Sequence, residues 1–508
     1  MLAPDYLDHA PDRLVLLWQE VEDTILRDVA RRIGKMDALT PTANWQLWRY
    51  QQTEAVRKDV VKLLARYTGK SEAEIRRLMQ EAATAALEAE DEIYYHYGKE
   101  PTPFEESTPL QNLLNAGYRQ TAGSFSNLTA TTANTVSGAF EQALDRAWLQ
   151  VSSGAFDYKT AVKRAVDGLA DSMPYVTYPS GHRDTLEVAC RRAVLTGVNQ
   201  TGSKLQEARM DEMGASFVEV TAHGGARPSH AVWQGKRYHR GGAVDYLGQH
   251  YEDFESATGY GTGAGLCGWN CRHTFFVVFP ELGSPPAWTQ ESLEALNARD
   301  IEYDGRLYTR YEISQMQRAR ERAVRKWKRR YLAEDAAGAD TTASAMKLRQ
   351  ARQSLADFTR ATGGRVDSAR TSVHGFGRSA SSKASYAARK QERFNAANTE
   401  LQQMREAGTI KAKGRLIESP SAPNEINFAS DHVLQRWAER GMGPMDAERI
   451  IRSSKVAMSQ RNGTQTCYYS ELGFVAIGQD GNVSSIGPLD EGGKKLMEVV
   501  KKHGIPHS

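Results

Sequence analysis

His223-Gly-Gly-Ala-Arg-Pro-Ser-His230, Gln234-Gly235, Tyr260-Gly-Thr-Gly263 and Cys267-Gly-Trp-Asn-Cys271-Arg-His273 follow one another within a single window of the chain. No other window is so dense in Gly, His, Cys and aromatic residues. Gly and Pro at this density specify a loop-rich backbone with residues at positive φ. Such a loop is worth its entropy only when something ties it down. On its N-terminal side, Phe217-Val-Glu-Val220 alternates like a strand. On its C-terminal side, Thr274-Phe-Phe-Val-Val-Phe279 reads as a second strand that stops at Pro280. Upstream, a helix over about 185–213 puts Leu186, Ala189, Cys190, Ala193 and Val194 on one side. Two strands bracketing a Gly-rich loop, packed on that helix, predict a small α+β domain.

Two ties fit the residues. Cys267, Cys271 and His273 with His230 or His223 form a soft donor set suited to tetrahedral zinc. Alternatively, the loop is metal-free and packed by Trp233, Trp269, Phe275 and Phe276. Asp245, His250, Glu252 and Asp253 have the residue types of acid–base chemistry, but no nucleophile motif accompanies them and polar side chains turned to solvent account for them.

Two ordered strings in this window, VTAHGGARPSHAVWQGK and GYGTGAGLCGWNCRHTFF, resemble the phage minor capsid protein 2 family, which is related to the Mu F-type head-morphogenesis proteins. The resemblance extends more loosely from about residue 10 to about residue 375. It implies a virion head component associated with the portal and the major capsid protein and assembled in the bacterial cytoplasm. It does not imply an enzymatic activity.

Composition bounds the rest. The chain has 508 residues, 40% of them hydrophobic and 25% charged, which predicts two to four domains with real cores. Four cysteines exclude a disulfide scaffold. Met-Leu-Ala-Pro-Asp-Tyr has neither a basic nor an apolar leader region, so no signal peptide is expected. No apolar run is long enough to span a membrane, and no membrane partner is expected. The net charge of +3 conceals an asymmetry: residues 305–415 hold 25 Lys and Arg against 10 Asp and Glu, leaving 40 against 52 elsewhere.

Along the chain, apolar residues from Leu14 to Ile33 follow helical spacing and end at Gly34. A second helical pattern runs from about Asn44 to Tyr67 and ends at Gly69. Ser71-Glu-Ala-Glu74 reads as a capping box opening a third helix to about Tyr97. Residues 107–150 and 157–172 are again helical, and Asp184 is placed to cap the 185–213 helix. Residues 290–335 read as one basic helix. Within its Arg318–Tyr331 centre, Arg325, Lys326, Arg329 and Arg330 beside Trp327 suit contact with the phosphates of viral DNA, although a solvated face or an acidic protein partner fits equally. A further helix spans about 343–361. The Ser- and Ala-rich run Ser379–Lys390 reads as a linker, flexible or loosely helical.

The C-terminal module begins near Ile426. A helix from an N-cap at Ser430 to Arg440 breaks at Gly441-Met-Gly-Pro444, and a second helix spans about 445–453. Three strand-like runs follow, 466–469, 474–477 and 483–486, with turns between them. This layout, with His432, Arg436 and Arg440 at four-residue intervals on one helix face, resembles phage-encoded nuclease modules of the barnase, EndoU, colicin and RelE-like group. That resemblance implies metal-independent cleavage of host RNA, with His432 as general acid or base. Arg436 and Arg440 would clamp the phosphate, and Tyr468 and Ser484 would join from the strands. Ten basic and ten acidic residues in 421–508 give the module no net pull on RNA.

The expected organisation is a multidomain, predominantly helical α+β protein. It comprises N-terminal helical arms (1–150), a central α+β domain with the Gly/His/Cys-rich loop (151–285), a basic helical connector (286–375), a linker (376–423) and a C-terminal α+β module (424–508). The leading functional expectation is a virion minor capsid protein. The alternatives are a virion-delivered ribonuclease and an accessory to DNA packaging or ejection.

Overall fold

Apolar spacing places the first helices where they occur. After the short α1 (Pro4–His9), α2 (Asp12–Ile33) buries Leu14, Trp18, Val21, Ile25, Val29 and Ile33. The fold was obtained as a computed structural model, which describes residues 1–36, 42–172, 175–178, 182–420, 422, 426–428 and 431–506. The side chains of residues 42, 43, 126–130, 175, 177, 431–433 and 436 lie outside that description. The chain forms two compact units, Met1–Ser381 and Ser382–Ser508.

The next element corrects the sequence reading. α3 (Thr42–His96) is one continuous helix of 55 residues, with no break at Gly69 and no cap at Ser71. The Ser71 hydroxyl is buried inside the helix bundle, donating to the Tyr67 carbonyl at 2.8 Å and accepting from Trp18 Nε1 at 3.0 Å. A serine satisfied in this way does not compete for a helix end, so the helix runs through.

α4 (Thr108–Ser152), α5 (Tyr158–Ser172) and α6 (Leu186–Met213) complete the bundle. A two-stranded hairpin, β1 (Tyr175–Thr177) with β2 (Arg183–Thr185), joins the last two helices. Trp18, Phe125, Phe140, Leu144, Val166, Leu186 and Leu205 belong to one continuous core. The cap of α6 is Thr185, which accepts from the Val188 amide, and not Asp184. Asp184 is instead taken by His182 and Arg192, at 3.0 and 2.9 Å.

The strands expected on either side of the Gly-rich loop are neighbours. β3 (Phe217–Val220) lies between β4 (Arg237–His239) and β7 (Phe275–Val277), antiparallel to both, with Val218 opposite Tyr238 and Val277. Between β3 and β7 the chain also forms α7 (Pro228–Ala231), the hairpin β5 (Val244–Tyr246) and β6 (Gln249–Tyr251), and α8 (Phe254–Thr258). Val218, Val220, Tyr238, Phe254, Phe275 and Val277 form a second core.

The 290–335 segment is not one helix. It is α9 (Gln290–Asn297), a hairpin of β8 (Arg299–Tyr303) and β9 (Arg306–Thr309), then α10 (Arg310–Ala336). Asp304 and Gly305 turn the hairpin at φ 52° and 72°, the left-handed pair that a two-residue turn of this hand demands. Thr309 and Glu312 form the capping box that starts α10. α11 (Thr342–Thr362) and α12 (Ser368–Thr371) follow.

α13 (Arg378–Glu406) carries the chain from the first unit into the second. The Ser379–Lys390 run expected as a linker is thus helical. Ala384, Ala388 and Ala397 are buried along it, so small residues here mark close packing and not only low complexity. Phe394, Leu401 and Leu416 share a core with Val456, Met458, Leu496 and Val500, and the 376–423 stretch therefore supplies core and a strand to the second unit. That strand is β10 (Arg415–Glu418). After α14 (Asp431–Glu439) and α15 (Pro444–Ser453) come β11 (Val456–Gln460), β12 (Gln465–Ser470), β13 (Gly473–Gly478), β14 (Val483–Gly487) and α16 (Glu491–Lys502). The five strands form one antiparallel sheet in chain order. Sequence spacing missed β10, β11 and α16, and the expected Ser430 cap falls outside the described residues. The protein is a multidomain, predominantly helical α+β chain.

Candidate metal centre

The loop between β3 and β7 doubles back on itself. A side chain at Gly265 would lie 2.0 Å from the Gly259 carbonyl oxygen, so this crossing needs glycine. Cys267 and Asn270 adopt left-handed φ values of 56° and 54°. The loop is fastened to α6 by Asn199, which is buried and whose Nδ2 donates to the carbonyls of Cys271 at 2.9 Å and His273 at 3.0 Å. About two helical turns further on, Gln206 donates to the Phe275 carbonyl at 2.8 Å. A single helix thereby sets the position of the backbone on either side of His273.

Three of the four expected ligands converge. His230, Cys271 and His273 are all buried, and their donor atoms lie within 4.8 Å of one another. Cys271 Sγ is 3.7 Å from His230 Nδ1 and 3.7 Å from His273 Nδ1. Cys267 does not join this set; its thiol faces the His273 carbonyl at 3.6 Å. His223 stacks on His273 with ring centroids 4.3 Å apart, and its Nδ1 faces the Gly224 carbonyl at 3.0 Å.

Hydrogen bonding fixes which nitrogens are free. Gln234 Oε1 accepts from the His223 amide at 3.2 Å, so it is an oxygen and an acceptor, and His273 Nε2 at 3.0 Å must donate to it. His230 Nε2 donates to the Ala264 carbonyl at 2.9 Å. Both rings thus carry their proton on Nε2 and turn an unprotonated Nδ1 toward Cys271 Sγ. Outer hydrogen bonds that hold the ligating nitrogen's tautomer are a regular feature of metal-binding histidines.

Electrostatics favour neutral ligands. Burial, reinforced by His223 and His230, lowers the His273 pKa to about 2, and burial lowers that of His230 to about 4. Burial raises the Cys271 thiol above its usual range. A divalent cation would reverse the thiol's preference, because it stabilises the thiolate and needs imidazoles without a proton at the ligating atom. The spacing also suits one. Zn–N near 2.1 Å and Zn–S near 2.3 Å in a tetrahedron place nitrogen and sulfur about 3.6 Å apart, against the 3.7 Å found twice here. The residues present fit a metal ion held by His230, Cys271 and His273. A cavity of about 1010 Å³ opens beside them, lined by all three and by His223.

The other candidates fall elsewhere. Asp245 and His250 pair at 2.7 Å on the exposed β5–β6 hairpin, and Asp253 caps α8 through the Ser256 amide. The basic face of α10 is occupied by carboxylates. Arg325 pairs with Glu22 at 3.4 Å and with Glu187, and Arg329 pairs with Glu22 at 2.6 Å and Asp23 at 3.2 Å. Lys326 meets Asp171 at 3.1 Å and Arg330 meets Asp167 at 2.9 Å. Arg325 and Arg329 are buried, so a DNA phosphate would have to displace carboxylates inside the bundle to reach them.

In the second unit the side chains of His432 and Arg436 lie outside the described residues. Arg440 is exposed and donates to the Ile486 carbonyl at 3.0 Å. Tyr468 is 1% exposed and packs in the core with Trp437, Ile450 and Val475, where no substrate reaches its hydroxyl. Ser484 is exposed, accepts from Gln465 Nε2 at 2.6 Å and donates to the Ala476 carbonyl at 3.2 Å. Sequence reasoning missed Asn199 and the role of Gln234.

Comparison with known proteins bears on the first unit. The family model described as "Phage minor capsid protein 2" matches residues 2–360. A curated relative named "Structural protein", from Lactococcus phage LL-H, is 27% identical over 244 residues, which is 45% of this chain and 61% of that protein. The chain thus spans about three fifths of the length of the curated relative it matches. No solved structure matches the chain.

Proposed function

Because the chain belongs to the phage minor capsid protein 2 family, we propose that it is built into the phage head, next to the portal and major capsid proteins, after assembly in the bacterial cytoplasm. The observation that carries this reading is the extent of the family match. Residues 2–360 take in the helical bundle, the loop with His230, Cys271 and His273, and the α10 ion-pair network. These features are those of a scaffold part. The buried Arg325 and Arg329 of α10 tie it to α2 and α6, Lys326 and Arg330 tie it to α5, and the loop is fastened at several points. Zinc bound by His230, Cys271 and His273 would add one more tie, contributing directly to the stability of the fold.

Quantitative mass spectrometry of purified, nuclease-treated particles tests the reading. The chain is expected at a low, fixed copy number per particle. Its absence from particles that contain portal and major capsid protein would refute the proposal.

A second activity is proposed for the C-terminal unit, cleavage of RNA with His432 as general acid or base and Arg436 and Arg440 as phosphate clamps. What supports it is the exposed Arg440 at the end of α14 and the antiparallel sheet that follows. Ser484 remains available at the surface, whereas Tyr468 does not. The full chain should cleave RNA, and His432→Ala should abolish the cleavage without shifting the melting temperature. RNA left intact by the wild-type chain would remove this activity.

A further inference from the structure

The cavity beside the candidate metal centre is lined by more cations than anions, and carboxylates outside the lining, Asp12, Glu22, Asp23, Asp184 and Asp367, pair with only part of the excess. Its lining holds ten Arg and Lys side chains but four Asp and Glu. Some of the cations are already paired, yet their partners are shared. Asp8 faces Arg272 at 3.5 Å and Arg370 at 3.8 Å, while also accepting the field of Arg318 and Arg191. Arg318 makes no ion pair among the described residues, and its Nε is buried without a hydrogen-bond partner. Burial and the neighbouring Arg370 and Arg272 lower its pKa to about 10. Arg322, one turn along α10, is exposed toward the same cavity and likewise has no ion pair among the described residues. Guanidinium groups crowded in a partly dry site repel one another unless an anion sits between them.

The cavity also offers a flat apolar surface. Trp269 is 62% exposed and lines it. One side of the ring is backed by Gly263, where a side chain would come within 2.6 Å of the indole. The Trp269 carbonyl accepts from Arg227 at 2.8 Å, which fixes the backbone beneath the ring. An exposed indole seated on glycine backbone is a platform for stacking. The volume, about 1010 Å³, is at the upper end of pockets that enclose single small ligands, and is too small for a nucleic-acid duplex.

We propose that this cavity binds a nucleoside polyphosphate, with the phosphates held by Arg318, Arg322, Arg272 and Arg370 and the base stacked on Trp269. Guanidinium forks match phosphate oxygens in geometry as well as charge, and several of them suit a chain of phosphates better than a single carboxylate. The site stands on the arginines, the cavity and the indole. It does not depend on an ion at Cys271 or on the place of the protein in the particle.

Isothermal titration calorimetry of the full chain at physiological salt, with ATP and with inorganic tripolyphosphate as separate probes, tests the proposal. Each probe should bind once per chain. Arg318→Gln and Arg322→Gln should each weaken both probes about tenfold, and Trp269→Ala should weaken ATP about tenfold while leaving tripolyphosphate within about twofold. Arg322 is exposed, so Arg322→Gln is the variant to judge by if Arg318→Gln lowers the melting temperature. Absence of binding by both probes overturns the proposal, as does binding that neither arginine substitution weakens. ATP affinity indifferent to Trp269→Ala overturns the assignment of the base. Binding of a 20-base-pair duplex that ATP does not displace and Arg322→Gln weakens would assign these arginines to nucleic acid and overturn the small-ligand site.

Discussion

Asn199 donates one amide group to two carbonyls of the loop, those of Cys271 and His273 at 2.9 and 3.0 Å. The two acceptors flank Arg272, so α6 fixes the backbone from which both the Cys271 sulfur and the His273 imidazole project. Asn199→Leu would leave these buried carbonyls without their donor. A loss of about 2–4 kcal/mol is expected, from two unsatisfied acceptors, and denaturant unfolding of the full chain measures it. A shift under about 0.5 kcal/mol would mean that the loop is held by other contacts.

The candidate metal centre predicts about one zinc per chain by elemental analysis of protein purified without chelator. Cys271→Ser should remove the metal, whereas Cys267→Ser should retain it, because Cys267 lies outside the converging set. Binding must displace the Cys271 proton, which burial holds on the thiol. Zinc affinity should therefore rise with pH. Metal-free wild-type protein with an unchanged melting temperature would show that hydrogen bonds and packing alone tie the loop.

Glu90 predicts a pH dependence of stability. It is fully buried on α3, and burial raises its pKa from 4.5 to about 7, even though Gln206 donates to it. The folded state therefore keeps a proton that the unfolded state releases. The contribution to stability is present below about pH 4.5 and is lost as pH rises to about 7, amounting to at most about 3 kcal/mol. Glu90→Gln should raise the melting temperature at pH 8 and change it little at pH 4.5. Equal effects at the two pH values would contradict the assignment.

The α10 network predicts that stability, rather than DNA binding, suffers when its charges are removed. Glu22 is buried and pairs with both Arg325 and Arg329. Glu22→Gln leaves two buried guanidinium groups short of countercharge, and a cost of about 3–5 kcal/mol is expected in thermal or denaturant unfolding. The double variant Arg325→Gln, Arg329→Gln should lower the melting temperature while leaving DNA retention on a gel unchanged. Weaker DNA binding with intact stability would instead place phosphates on that face.

Periodic features were legible in the sequence and pairwise ones were not. The spacing of Leu14, Trp18, Val21 and Ile25 marks α2 because it reports burial on one face, and Phe217-Val-Glu-Val220 marks β3 although Glu219 is buried as well, paired with Arg237. His230, Cys271 and His273 were legible as candidate ligands by residue type, and the fold brings them together. The exclusion of Cys267 was not, since its left-handed φ and the crossing at Gly265 decide where its sulfur points. Charge was misleading on α10. Arg325 and Arg329 look solvated in a basic run, and only the fold brings Glu22 and Asp23 to them from some 300 positions away. Ser71 illustrates the converse: a good cap residue becomes a mid-helix bridge once Trp18 Nε1 requires an acceptor. The β8–β9 hairpin did carry a signal, Asp304-Gly305, which the surrounding helical spacing obscured.

α3 has a mechanical consequence. Fifty-five helical residues span about 80 Å, whereas a small domain is about 30 Å across. Near its start, Trp45 stacks on Trp48 and Trp148 at 5.3 and 5.9 Å. Near its end, Tyr97 stacks on Phe279 at 3.7 Å, just beyond β7. An axial load applied at the tryptophans reaches the neighbourhood of the His/Cys loop through an unbroken ladder of backbone hydrogen bonds, with no hinge to absorb it. The helix is a strut, and displacement at one end of the first unit is delivered to the other.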